Sequence, residues 1–146
     1  MRRGLGIGRA LIAAGSALAL VGCFLPWLSA GELSGQVVTA NGLVGTGLLV
    51  FLASIGMLLL VLLPYAAASG RSALDKPLAY ALLAGVGIVG LVIRVVQLWS
   101  EDALTLLPPD RALGLWLTTF GMVLVALGVG DLLGQKPPAS PLRPKR

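Results

Sequence analysis

The sequence predicts an all-α integral membrane four-helix bundle with both termini cytoplasmic, and three observations carry that expectation. Four long apolar stretches fill most of the chain, basic residues collect on one side of them, and aromatic residues fall near their ends. The stretches cover about 10–28, 43–65, 78–99 and 112–133. A bilayer core is crossed by about 20 predominantly apolar residues, so each is long enough. Composition agrees: 57% of the 146 residues are hydrophobic and 12% charged, against roughly 25% charged in a soluble domain. Mean hydropathy is +0.94. The organisation expected is a basic N-terminus (1–9), a transmembrane domain (10–133) and a disordered, proline-rich basic tail (134–146).

The net charge of +5 looks like a nucleic-acid signal until the charges are placed. Arg2, Arg3 and Arg9 precede the first span, Arg71 and Lys76 separate the second from the third, and Lys136, Arg143, Lys145 and Arg146 follow the fourth. All fall on one side, with Asp75 and Asp131. The other side holds Glu32, Glu101, Asp102, Asp110 and Arg111. Lys and Arg gather on the cytoplasmic face, so this asymmetry predicts that both ends are cytoplasmic and that anionic lipid, not nucleic acid, is the partner of the basic residues.

In chain order, the first span begins after Arg9 and runs into Phe24-Leu25-Pro26-Trp27-Leu28. Its Leu20-Val21-Gly22-Cys23 also resembles a lipoprotein signal, whose cleavage would leave three spans. Against that, the run stays apolar beyond the cysteine and is long enough to remain in the membrane. The outer loop carries Gly31, Gly35 and Gly42 around Gln36-Val37-Val38-Thr39, which fits a small hairpin. Pro108-Pro109-Asp110 gives a stiff entry to the fourth span, where Asp110 is placed to cap the helix. Trp27, Trp99 and Trp116 at the outer ends, with Tyr65 and Tyr80 at the inner ends, read as interfacial anchors. Gly15 with Ala19, Ala81 with Gly85, and Ala126 with Gly130 are small residues four apart, the spacing that lets membrane helices approach closely.

One constellation stands out for chemistry. Gly87, Gly90, Arg94, Gln97 and Glu101 share one stripe of the third span. An arginine at a helix centre costs about 2.5–3.5 kcal/mol on insertion scales, which the surrounding aliphatic residues offset. Thr46, Thr118, Thr119 and Cys23 fall at similar depth. Two roles follow for Arg94: a staple pairing with Glu101, Glu32 or Asp102, or an outward-facing pocket for an anionic headgroup, carboxylate or phosphate. The candidate site is therefore Arg94, Gln97, Glu101, Thr118 and Thr119. Candidate packing residues are Gly15, Ala19, Gly85, Gly87, Gly90 and Gly130.

The chain has no histidine and a single cysteine. Histidine catalysis, common zinc sites and an intramolecular disulfide are thus unavailable within one chain, and no nucleophile–base pair is visible. No enzyme activity, metal or cofactor is expected. The span count resembles that of small multidrug exporters, but their first-span glutamate has no counterpart. The claudin-like plan is also four-span, yet its paired loop cysteines are missing. The Arg-led first span ending Leu25-Pro26-Trp27, the glycine-bearing outer loop and the glycine-rich third span resemble small bacterial four-span proteins, among them the tryptophan-associated membrane proteins. That resemblance covers about two thirds of the chain and implies no activity. The expected role is structural or accessory, a subunit or assembly partner of a membrane complex or a homo-oligomer. The alternative is a small transporter, or a protein binding an anionic lipid or solute at Arg94.

Overall fold

The computed structural model describes residues 6–30, 38–66, 77–100 and 112–134. They form α1 (Ile7–Phe24), β1 (Pro26–Ala30), β2 (Val38–Asn41), α2 (Gly47–Ala66), α3 (Pro77–Ser100) and α4 (Leu113–Gly134). Each helix packs on two neighbours, α1 on α2 and α4, and α3 on α2 and α4, with α1 against α4 the most extensive pairing. The expectations for Arg2, Arg3, Glu32, Arg71, Asp75, Lys76, Glu101, Asp102, Asp110, Arg111 and the basic tail lie outside the described residues.

Three helices, α1, α3 and α4, are long and apolar enough to cross a membrane, and α2 contributes a shorter apolar run, Gly47–Leu63. Their outward faces are as apolar as the core: Leu59, Leu82, Val89, Val96, Phe120 and Leu127 are all more than half exposed. A surface of that kind is stable in lipid and not in water. The protein is a multi-span membrane protein.

The first helix ends earlier than the apolar run suggests. Proline disfavours the helical conformation in the residue before it, and Leu25, preceding Pro26, is extended at φ −81°, ψ 158°. The chain then enters an antiparallel hairpin pairing Leu28 with Ala40, Ser29 with Thr39 and Ala30 with Val38. The correction moves the boundary from 28 to 24 and shows that Trp27 belongs to a strand. Trp27 is fully buried, so it is not an interfacial anchor. Its Nε1 donates to the Gly22 carbonyl at 2.9 Å, while the Gly42 N–H donates to the Cys23 carbonyl at 2.9 Å. Helix ends leave carbonyls without intrahelical partners, and here the hairpin supplies the donors. Gly45, at φ +65°, turns the chain into α2, a conformation that only glycine adopts without strain.

Glycines seven residues apart set the α1–α4 seam. Gly8, Gly15 and Gly22 oppose Gly128, Gly121 and Gly114 in antiparallel order, and the fit is reciprocal. A methyl on Gly15 would sit 2.5 Å from the Gly121 carbonyl oxygen, and one on Gly121 2.5 Å from that of Gly15. The outer pairs repeat this at 2.9 and 2.6 Å for Gly8 and Gly128, and at 2.8 and 2.6 Å for Gly22 and Gly114. Backbones at this separation gain dispersion and weak Cα–H···O contacts that side chains would block. Gly85 and Gly130, expected to pack, would each meet nothing within 4 Å if a methyl were added, and face away from the bundle.

The α2–α3 pair is fixed differently. Pro64 has no N–H, so the carbonyl four residues earlier, Leu60, loses its helical donor. The Tyr80 hydroxyl donates to that oxygen at 2.9 Å, and Tyr80 is 1% exposed. Tyr80 is thus a buried substitute for a missing backbone bond, not an interfacial anchor. In hydrocarbon such freed groups must be satisfied by a neighbouring helix. Tyr80→Phe is expected to destabilise the bundle by about 1–2 kcal/mol, and adding Pro64→Ala, which restores the N–H, to recover most of it. Thermal unfolding in detergent micelles checks this; no recovery in the double variant would sink the account.

Candidate functional site

The third-span stripe lies against α2. A methyl on Gly87 would meet Met122 of α4 and Ala53 of α2, and one on Gly90 would meet Leu49 and the Thr46 carbonyl. These two glycines bring α3 close to the start of α2. One turn further on, Arg94 is half buried. Its Nη1 donates to Gln97 Oε1 at 3.5 Å, a long bond, and Thr46 Oγ1 donates to the same oxygen at 3.3 Å. Arg94 Nε is buried with no hydrogen-bond partner among the described residues.

The hydrogen-bonding inventory of this cluster is one-sided. Guanidinium offers five N–H donors and no acceptor, and the glutamine amide adds two donors. The carbonyl oxygen of Gln97 accepts twice. What is left over is mostly donors, since the Thr46 hydroxyl, having given its hydrogen to Gln97, keeps only its oxygen lone pairs beside them.

Of the threonines at this depth, only Thr46 joins Arg94. Thr118 is fully buried on the α1–α4 seam, where its hydroxyl donates to the Ala19 carbonyl at 3.5 Å. Thr119 donates back along its own helix to the Leu115 carbonyl at 2.8 Å. It lines a shallow recess with Val95, Leu115 and Trp116. Of the pocket walls expected, Thr118 is therefore taken up by the α1–α4 seam, and the Thr119 hydroxyl bonds its own helix without joining Arg94. Glu101 lies outside the described residues. Gly15 and Ala19 sit on the α1–α4 seam.

Cys23 is fully buried in the last turn of α1, facing α4. Among the described residues no group of three His, Cys, Asp or Glu side chains is close enough to hold a metal ion. The glycine heptads, which the spacing-of-four reading passes over, are present as a signal in the intervals 8, 15, 22 and 114, 121, 128. No family model, curated protein or solved structure matches the chain, and its class, a small multi-span membrane protein, rests on its own apolar helices.

Proposed function

We propose that the protein is an accessory component of a bacterial inner-membrane assembly: a four-span subunit or assembly partner, with both termini cytoplasmic and no catalytic activity of its own. The observation that carries this reading is the division of the small residues into two sets. The glycines of the α1–α4 seam are used inside the bundle, whereas Gly85 on α3 has nothing against it. Ala81 and Gly85, one turn apart, floor an open groove of about 380 Å³ lined by Leu49, Leu82, Val86 and Val89. Small residues four apart on an outward face are how one membrane helix admits another. The orientation rests on the one-sided distribution of Lys and Arg, and the bacterial setting on the resemblance carried by Leu25-Pro26-Trp27 and the glycine-rich third span.

The test is affinity purification of the tagged chain in mild detergent, with native mass determination. A stoichiometric membrane-protein partner is expected, and Gly85→Leu is expected to abolish its recovery without changing the melting temperature. A chain that purifies alone, or a partner indifferent to Gly85→Leu, overturns the reading. Reporter fusions at the C-terminus check orientation separately: a fluorescent protein should glow and a periplasm-dependent phosphatase should stay silent.

A further inference from the structure

We propose that Arg94, Gln97 and Thr46 form a binding site for an oxyanion of the phosphate type, at the end of the bundle where α3 finishes and α2 begins. The site is independent of the accessory role and stands or falls by itself.

Depth is the first argument. Arg94 lies six residues before the end of α3 at Ser100, about 9 Å along a helix. Its neighbours Val92, Ile93, Val95 and Val96 are exposed and apolar, as befits lipid-facing positions. A permanently charged guanidinium at such a place needs a counterion or a path to water. Asp131, the sole acidic residue among the described ones, lies at the opposite end of the bundle, its carboxylate against Gly8 of α1. No described carboxylate meets Arg94.

Geometry is the second. With Nη1 committed to Gln97, the edge formed by Nε and Nη2 is left without an acceptor among the described residues. That edge is the one whose two parallel N–H groups take a phosphate or carboxylate bidentately. Thr46 fixes the glutamine by donating to its carbonyl oxygen, which turns the amide N–H₂ away as a further donor. Three side chains on two helices thus present an excess of N–H donors, against which stand only the lone pairs of the Thr46 hydroxyl, a balance that favours an anion over a cation or a neutral apolar ligand. The phosphate chemistry is common to a lipid headgroup and to a soluble anion.

The experiment uses the full chain, delipidated in detergent, with phosphatidylglycerol and inorganic phosphate as probes and native mass spectrometry as readout. Arg94→Gln is expected to weaken retention of the probe about tenfold or more. Gln97→Glu is the second variant: it keeps an oxygen for Thr46 and sets a carboxylate beside the guanidinium. It should abolish binding while leaving the melting temperature unchanged or raised, which a purely structural arginine would not produce. Arg94-dependent binding of phosphatidylglycerol that phosphate does not displace assigns the site to a lipid headgroup. Arg94-dependent binding of phosphate alone assigns it to a soluble anion, and displacement of one by the other shows that both reach it. Unchanged binding of both probes in folded Gln97→Glu overturns the proposal, whether or not Arg94→Gln yields a folded protein.

Discussion

Gly121→Val destabilises the bundle by about 3 kcal/mol or more, at the upper end for overpacked positions, and is the most damaging single substitution expected on α4. The added Cβ alone would lie 2.5 Å from the Gly15 carbonyl oxygen and 2.6 Å from the Ala19 nitrogen. Both are backbone atoms, so no side-chain rotation relieves the clash and the two helices must part. Separation then removes the contact at the Gly8–Gly128 and Gly22–Gly114 pairs as well, because all three lie on one straight seam. Two comparisons isolate the cause. Gly130→Val, nine residues along the same helix, meets nothing within 4 Å and should change stability by less than about 0.5 kcal/mol. Gly15→Ala combined with Gly121→Ala should cost less than the sum of the two, since helices already parted have no contact left to lose. Unfolding by heat in micelles, followed by helicity, reads all of these. Equal stability of Gly121→Val and Gly130→Val would refute the seam as the main α1–α4 tie.

That seam also bears on whether the first helix is retained. Cleavage before Cys23 would remove α1 and leave Gly114, Gly121 and Gly128 of α4 facing lipid, with Thr118 deprived of the Ala19 carbonyl. A set of glycines matched pair by pair to α1 has physical sense only with α1 in place. Intact mass of the purified chain, expected without loss of its first 22 residues or addition of lipid, is read from the sample prepared for the unfolding measurements.

The helices are legible in the sequence because length and apolarity are local properties. The boundary of α1 is not, since the apolar run continues to Leu28 while the backbone cannot remain helical through Leu25. For Trp27 and Tyr80 the sequence yields the depth, near span ends, but not the role. An amphipathic ring near a span end serves equally as an anchor or as a donor to a freed carbonyl. The difference lies in where the Gly22 and Leu60 carbonyls point, which is a tertiary fact. The stripe of Gly87, Gly90, Arg94 and Gln97 is visible from helical spacing alone. Which threonine joins it is not, since both α2 and α4 border this end of α3 and only the fold turns Gln97 toward Thr46 of α2.

Trp27→Ala carries the other large effect, a loss of about 3–5 kcal/mol. The ring is fully buried, and a methyl on Gly42 would lie 2.6 Å from it, so the indole is pressed flat against the hairpin backbone. Truncation opens a cavity and removes the Nε1 donor from the Gly22 carbonyl. Trp27→Phe keeps a six-membered ring in place while removing Nε1 and the smaller ring, and should cost less than the alanine variant, about 1–3 kcal/mol. The damage should also spread along the chain, because the same hairpin donates from Gly42 to Cys23 and leads through Gly45 into α2. A Trp27→Ala protein should therefore show faster amide exchange at Gly42 and at the α2 N-terminus, Leu48 and Leu49, while the Gly8–Gly128 end stays protected. Uniform loss of protection over all four helices would mean that the hairpin is no separate cap, and that Trp27 stabilises the bundle only through its volume.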